Sequence, residues 1–175
     1  MRERFNINNK KYYIENIFCT IDIYNIENYL KRIENIKNNQ NHKIEIFIVP
    51  NTHIYNKIHL NYAIYITYSK FIDKINISKN RFTEMLLTLN CSDQINKISK
   101  NWYLKKGENN YFINIVSNKI IDKKKKKEII KELDIKVIRK NKYNKENALS
   151  FYKIERGKKE INKIIEKMTT SYLKN

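Results

Sequence analysis

The sequence is poor in the residues that usually interrupt or cross-link a chain. Its 175 residues include only two glycines, one proline, two cysteines and one tryptophan. Two glycines cannot build a glycine-rich phosphate-binding loop. The two cysteines, Cys19 and Cys91, are too few and too far apart for a zinc site or a disulfide framework. We therefore interpret both as small, buried residues.

Long apolar runs are also missing. No stretch reaches the length that crosses a membrane. The N-terminus, MRERFNINNKKYY, lacks the apolar segment of a secretory signal. These features predict a cytoplasmic and/or nuclear protein with no membrane partner.

The titratable side chains do not form a recognisable catalytic group. His53 and His59 are six residues apart and would lie on different faces of a helix. The third histidine, His42, is distant in sequence, and three acidic residues stand isolated: Asp22, Glu45 and Glu84. Because no nucleophile–base pair is visible, the sequence predicts a binding protein rather than an enzyme, with no catalytic residue, metal or cofactor.

Acidic residues are half as numerous as basic ones. The chain has 18 of the former and 36 of the latter, a net charge of +18. This balance favours nucleic-acid binding, although isoleucine, asparagine, lysine and tyrosine, which share A/T-rich codons, fill more than half of the chain. The run Lys123–Lys127 is interpreted as a solvated helix start or, alternatively, as a weak nuclear signal. A cationic start opposes the helix dipole, so the run does not serve helix stability.

Hydrophobic periodicity predicts strands and helices in irregular alternation. Asn25 and Asp122 are candidate N-caps, and Pro50 ends a strand. Thr52 is predicted to open a long helix with a core stripe at Ile54, Ile58, Tyr62 and Ile66, and Leu30 is placed in the core stripe of the preceding helix. The predicted strands are Glu15–Tyr24, Lys43–Val49, Tyr111–Val116 and Lys136–Ile138; an extended piece is Lys74–Ile77; loops are 38–42 and 139–145; the closing helices are Glu146–Ile154 and Lys158–Ser171.

These elements predict one α+β (mixed α/β) domain over residues 1–175, with a small central sheet flanked by roughly six to eight helices. Residues 1–12 are predicted to form a flexible N-terminus.

The stretch Arg81–Trp102, RFTEMLLTLNCSDQINKISKNW, reads as two short helices broken at Asn90–Ser92. Lysines, an arginine and aromatic residues surround it. This combination suits a single-stranded nucleic-acid end, whose phosphates meet basic side chains and whose bases stack on rings. It equally fits a solvated rim over a core that buries the tryptophan. The residues are Lys70, Lys74, Lys79, Arg81, Lys97 and Lys100, with Tyr68, Trp102 and Tyr103.

The same stretch resembles the small kinase-binding subunit of the KEOPS complex, the family of TPRKB and its archaeal counterparts. The collinear positions are Thr83, Glu84, Leu86, Leu87, Leu89, Asn90, Ile95 and Trp102. The segments IFIVPNTHI and YKI, followed by the helix of Ile161 and Met168, extend the resemblance to about residues 15–170. Tyr103 stands where the family has glycine, and the alanines usual in the long helix are largely replaced.

The resemblance implies a non-catalytic subunit that binds the PRPK-like kinase/ATPase subunit of KEOPS and, indirectly, acts with the threonylcarbamoyl-transferase subunit. It also implies recruitment of tRNA by its 3′ CCA end for N6-threonylcarbamoyladenosine modification beside the anticodon. The tRNA side would comprise Lys79, Arg81, Lys97, Lys100 and Lys74, and the kinase side Ile161, Ile164, Ile165 and Met168. Simple core packing explains these four apolar residues equally well. The alternative function is a general RNA- or DNA-binding module without a kinase partner.

Overall fold

The computed structural model describes residues 2–38, 43–139 and 143–173. Contacts within the chain group them into two compact units, each described here by itself. The first unit comprises residues 1–50 and 104–142, and the second comprises residues 51–103 and 143–175. The first holds the β-strands, whereas the second is helical.

The first unit is built on an antiparallel sheet of five strands within the described residues. Its strand order is β1–β2–β4–β3, and the short β5 pairs with β2 on the side that also carries β1. Burial alternates along part of β2, whereas residues 46–50 of β3 and 111–117 of β4 are buried without interruption, so side chains on both faces of the sheet are buried there. Their bounds are β1 Arg2–Ile7, β2 Lys10–Ile23, β3 Ile44–Pro50, β4 Gly107–Ser117 and β5 Lys136–Val137. All four predicted strands are therefore present, and β3 ends at Pro50 as predicted.

The first described residues form a hairpin rather than the flexible N-terminus predicted for residues 1–12. Strand β1 pairs with the start of β2 from Arg2↔Glu15 to Ile7↔Lys10. Asn8 and Asn9 close it at φ 47° and 62°. Asparagine tolerates this left-handed backbone, which a two-residue hairpin turn requires.

Two helices pack on one face of this sheet. They are α1, Ile26–Asn38, and α4, Lys123–Glu132. The predicted caps of both are confirmed, because Asn25 accepts a hydrogen bond from Asn28 N at 3.0 Å and Asp122 accepts one from Lys125 N at 2.7 Å. The core between sheet and helices is rich in isoleucine and includes Ile17, Ile21, Ile33, Ile113, Ile115 and Ile129. Leu30 is 42% exposed, outside the stripe predicted for it.

The second unit contains four α-helices within the described residues. They are α2 Lys57–Asp73, α3 Arg81–Leu89, α5 Lys145–Phe151 and α6 Glu160–Leu173. One short 3₁₀ turn precedes α2 and two follow α3. Helix α2 begins later than predicted, because Asn56 rather than Thr52 caps it by accepting from His59 N at 2.9 Å. Ile58 is therefore on the outer face and 59% exposed, contrary to the predicted stripe, whereas Ile66 is buried.

The segment Lys74–Ile77 is an irregular connection rather than an extended strand, since Lys74 takes a left-handed backbone at φ 60° and closes the end of α2. The predicted break between the closing helices, near Gly157, is confirmed. The loops predicted at 38–42 and 139–145 fall partly outside the described residues. The fold is α+β, as predicted. Among the described residues, no helix combines the length and apolar character needed to cross a membrane.

Candidate nucleic-acid interface around the third helix

Helix α3 begins at an N-cap formed by Asn80. The Asn80 side chain accepts hydrogen bonds from Phe82 N at 2.8 Å and Thr83 N at 3.2 Å. Lys79, immediately before the cap, is exposed. Arg81, in the first turn, packs its guanidinium 4.7 Å from the Phe71 ring centre, so part of this side chain serves internal packing.

A buried ion pair fixes the loop that precedes α3. Glu84 is completely buried and accepts from Lys70 Nζ at 2.9 Å. Its second carboxylate oxygen accepts from Ile77 N at 2.9 Å and Ser78 N at 2.8 Å. One carboxylate thus ties α2, α3 and the loop that carries Lys79 into one structure.

This pair corrects two predictions. The sequence predicts Lys70 as one of the surface lysines, but it is 2% exposed, and Glu84, predicted to be an isolated carboxylate, has Lys70 as its partner. The one signal in the sequence for the burial of Glu84 is the apolar segment Met85–Leu87, which follows it directly. Nothing local indicates that the partner lies fourteen residues earlier.

The end of α3 is anchored by Asn90. Its Nδ2 donates to Lys97 O at 3.0 Å, and its Oδ1 accepts from Ser99 N at 3.0 Å. The following segment therefore folds against the helix end as two 3₁₀ turns, Ile95–Lys97 and Lys100–Trp102, and not as the predicted second α-helix. A side chain that binds backbone groups offers the chain an alternative to helical hydrogen bonds.

Trp102 is a core residue. It is fully buried and makes edge-to-face contacts with His53 and Phe151, at centre distances of 5.6 Å and 5.4 Å. Its ring is therefore inaccessible to a nucleic-acid base, which decides between the two interpretations of this residue. Tyr68 is buried as well, whereas Tyr103 is 43% exposed and is the accessible ring of the three.

The predicted tRNA-contacting residues divide between the two ends of α3. Lys74, Lys79 and Arg81 lie at its N-terminal end, and Asn90 holds the backbone next to Lys97 and Lys100 at the other end. Helix α3, which is nine residues long, spans about 13 Å between its two ends. All four lysines are exposed. A bound strand would therefore have to follow the length of α3 to contact both groups.

A buried hydrogen-bond network connects α2 to the C-terminal end of α3. His59 Nδ1 accepts from Tyr55 N at 3.2 Å, and its Nε2 lies 3.0 Å from the Tyr152 hydroxyl. That hydroxyl donates to Leu89 O at 2.6 Å, so Nε2 must carry the proton and donate to Tyr152. Burial lowers the pKa of His59 to about 3. A neutral histidine thus links α2, the end of α3 and the residue that follows α5.

The predicted kinase-contacting residues on α6 belong to two groups. Ile164 and Met168 are fully buried and pack inside the second unit, which favours core packing over kinase contact for these two residues. Ile161 and Ile165 are half-buried and retain apolar surface.

A cleft of about 830 Å³ lies beside α6 in the same unit. Its walls carry lysines and carboxylates in equal number, so it has no strong charge preference. Burial raises the pKa of the Cys91 thiol to about 11, with Lys167 opposing the shift, so the thiol is protonated at neutral pH. The lining residues are Cys91, Asp93, Lys153, Ile154, Glu155, Lys163, Glu166, Lys167, Thr170 and Ser171.

Potential metal ligands do not gather in the described part of the chain, where no group of three or more histidine, cysteine or acidic side chains occurs. His42 lies outside the described residues. No protein-family model and no curated protein matches this sequence.

Proposed function

We propose that this protein is a non-catalytic KEOPS subunit that binds the kinase/ATPase subunit and helps to recruit tRNA through its 3′ CCA end. Its role would be in N6-threonylcarbamoyladenosine modification beside the anticodon, in the cytoplasm or the nucleus. The proposal rests on the resemblance of Arg81–Trp102 to that family, together with the folded form of this stretch.

The observation that carries the proposal is that residues of the resembling stretch fix α3 and the segments on either side of it. Glu84 anchors the loop before α3, Asn90 anchors the turns after it, and Trp102 closes the core beneath. Three of the collinear positions therefore have defined structural roles, and two of these, Glu84 and Asn90, hold the segments that carry exposed lysines at the two ends of one helix. Such a frame can present phosphate-binding side chains along a single strand.

A tRNA-binding experiment tests the first half of the proposal. Lys79→Glu/Lys97→Glu reverses one exposed charge at each end of α3, and Lys158→Glu is a control that reverses the charge of an exposed lysine in the same unit. We expect the double variant to weaken binding of intact tRNA at least tenfold, and the control to change it less than twofold.

The length of the 3′ end distinguishes the proposal from its alternative. With tRNA trimmed of CCA, the wild type should bind as weakly as the double variant binds intact tRNA. Equal affinity of the wild type for intact and trimmed tRNA, with no kinase in the purified complex, would favour the general RNA- or DNA-binding module.

Reconstitution with the kinase/ATPase subunit tests the second half. The half-buried pair Ile161 and Ile165 supplies the apolar surface on α6, and a stable interface would bury roughly 1,200–2,000 Å² in total. Ile161→Ala/Ile165→Ala should weaken kinase binding, measured by calorimetry. Ile58→Ala, at an exposed apolar residue on α2, is the control, and equal effects of both would contradict the assignment of α6.

A further inference from the structure

Helix α4 of the first unit carries lysines on one outward face. Successive residues of an α-helix are rotated by about 100°, so Lys123, Lys127, Lys131 and Lys124 fall within an arc of about 100°. All four are exposed. We call these four residues the α4 lysine stripe. The opposite side of the helix carries Ile129, which is fully buried in the core.

The stripe is distinct from the other lysines of the run. Lys125 pairs with Glu128 at 3.0 Å, and Lys126 pairs with Glu15 at 2.8 Å. Within the described residues, none of the four stripe lysines forms an ion pair. Internal pairing thus accounts for two lysines of the run and leaves the four stripe lysines on one face, with Glu128 at the edge of that face.

The stripe does not stabilise the fold. Its first lysines lie at the positive end of the helix dipole, where cations are unfavourable. Lys123 and Lys127, and again Lys127 and Lys131, are like charges four residues apart, an arrangement that destabilises a helix. A surface with unfavourable self-energy gains most from a ligand that brings negative charge.

We propose that the α4 lysine stripe binds the phosphate backbone of double-stranded nucleic acid, independently of base sequence and of a 3′ end. From Lys123 to Lys131 the helix rises about 12 Å. Phosphates of one strand follow each other every ~3.4 Å along the duplex axis, so this length faces three or four of them. The proposal goes beyond the proposed function, because it assigns a second contact surface on the other unit and needs neither CCA nor the kinase.

The salt dependence of binding tests the proposal directly. The probe is a blunt DNA hairpin without a single-stranded 3′ end, and its affinity is measured by fluorescence anisotropy between about 50 and 200 mM KCl, where counterion release makes the affinity strongly salt-dependent. Replacing all four stripe lysines by glutamine should reduce the slope of log K against log salt by about 3, since each phosphate contact contributes about 0.9.

Two variants make the test specific. Lys→Arg at the four stripe positions should retain the slope, because the charge is kept. Replacing four other exposed lysines of the first unit by glutamine lowers the net charge equally and should leave the slope within about 1 of the wild type. These control lysines are Lys10, Lys105, Lys106 and Lys119. An unchanged slope in the stripe variant, or an equal reduction in the control, would overturn the proposal.

Thermal unfolding supplies a second measurement. If the stripe lysines served only to stabilise the fold, replacing them would lower the Tm. The glutamine variant should have a higher Tm than the wild type, as like-charge repulsion is removed, while it binds the hairpin more weakly. A lower Tm would overturn the argument that the stripe opposes folding.

The test also separates this proposal from the proposed function. If the two surfaces contribute additively to binding, trimming CCA from tRNA should weaken the wild type and the stripe variant by the same factor. If CCA proves irrelevant, the proposed function fails, yet the hairpin slope still decides the role of the stripe.

Discussion

The buried His59 should make folding stability sensitive to mild acid. Its pKa in the folded protein is about 3, because burial disfavours the charged ring, against a reference value of 6.5. Between pH 6.5 and pH 3, His59 is therefore mostly protonated in the unfolded chain and mostly neutral in the folded chain. Stability is complete above pH 6.5 and declines as the pH falls towards 3.

The size of the effect follows from the difference between the two pKa values. At pH 5, which is about 1.5 units below the reference pKa, protonation of His59 lowers the free energy of the unfolded state by about 2 kcal/mol. For a chain of this length that corresponds to a Tm lower by about 4–8 °C. Urea denaturation at pH 7 and pH 5, followed by circular dichroism, measures the loss in free energy of unfolding.

His59→Gln isolates the contribution of this residue. Glutamine does not titrate but can accept from Tyr55 N and donate to the Tyr152 hydroxyl. All other groups, including His53, are shared by the two proteins and cancel in the comparison. The wild type should lose about 2 kcal/mol more than the variant between pH 7 and pH 5. Equal losses would refute the interpretation of His59 as a neutral, buried link.

Three further substitutions test the anchors of the second unit by urea denaturation. Glu84→Gln leaves the buried Lys70 ammonium without its counter-charge and should cost about 3–5 kcal/mol, and adding Lys70→Met should recover part of that loss; a cost under about 1 kcal/mol would contradict the buried pair. Asn90→Ala removes two backbone anchors and should cost about 1–3 kcal/mol. Because Trp102 is the sole tryptophan, its emission should shift to the red if the turns loosen, and an unshifted spectrum would argue against the anchor. Met168→Ala should cost about 2–5 kcal/mol, and a loss under about 0.5 kcal/mol would reinstate it as a contact residue.

Local signals in the sequence predicted most of the elements. The β-branched runs marked the strands, and Asn25 and Asp122 marked two helix starts, because a cap acts over only three residues. The hairpin at Asn8 and Asn9 was missed although the asparagine pair is itself a turn signal. The start of α2 was misplaced because Thr52 and Asn56 are both acceptable caps by residue type.

The candidate interface was only partly predictable. The exposed lysines at positions 74, 79, 97 and 100 were found from their charge and their place around α3. The separation of these lysines into two groups was not, because it depends on the hydrogen bonds of Asn90 across seven and nine residues. The same limit applies to α6, where periodicity marks an apolar face but not how much of it is covered.

The sequence by itself determined the positive charge, the isoleucine-rich cores, the class of elements and the order in which they occur. Each of these depends on composition or on neighbours within a few residues. Only the tertiary structure decided that Lys70 and Glu84 form a buried pair, that Trp102 is core rather than a stacking surface, and that Ile164 and Met168 face inward. Burial and ion pairing depend on which segments, distant in sequence, come into contact, and local periodicity does not predict those contacts.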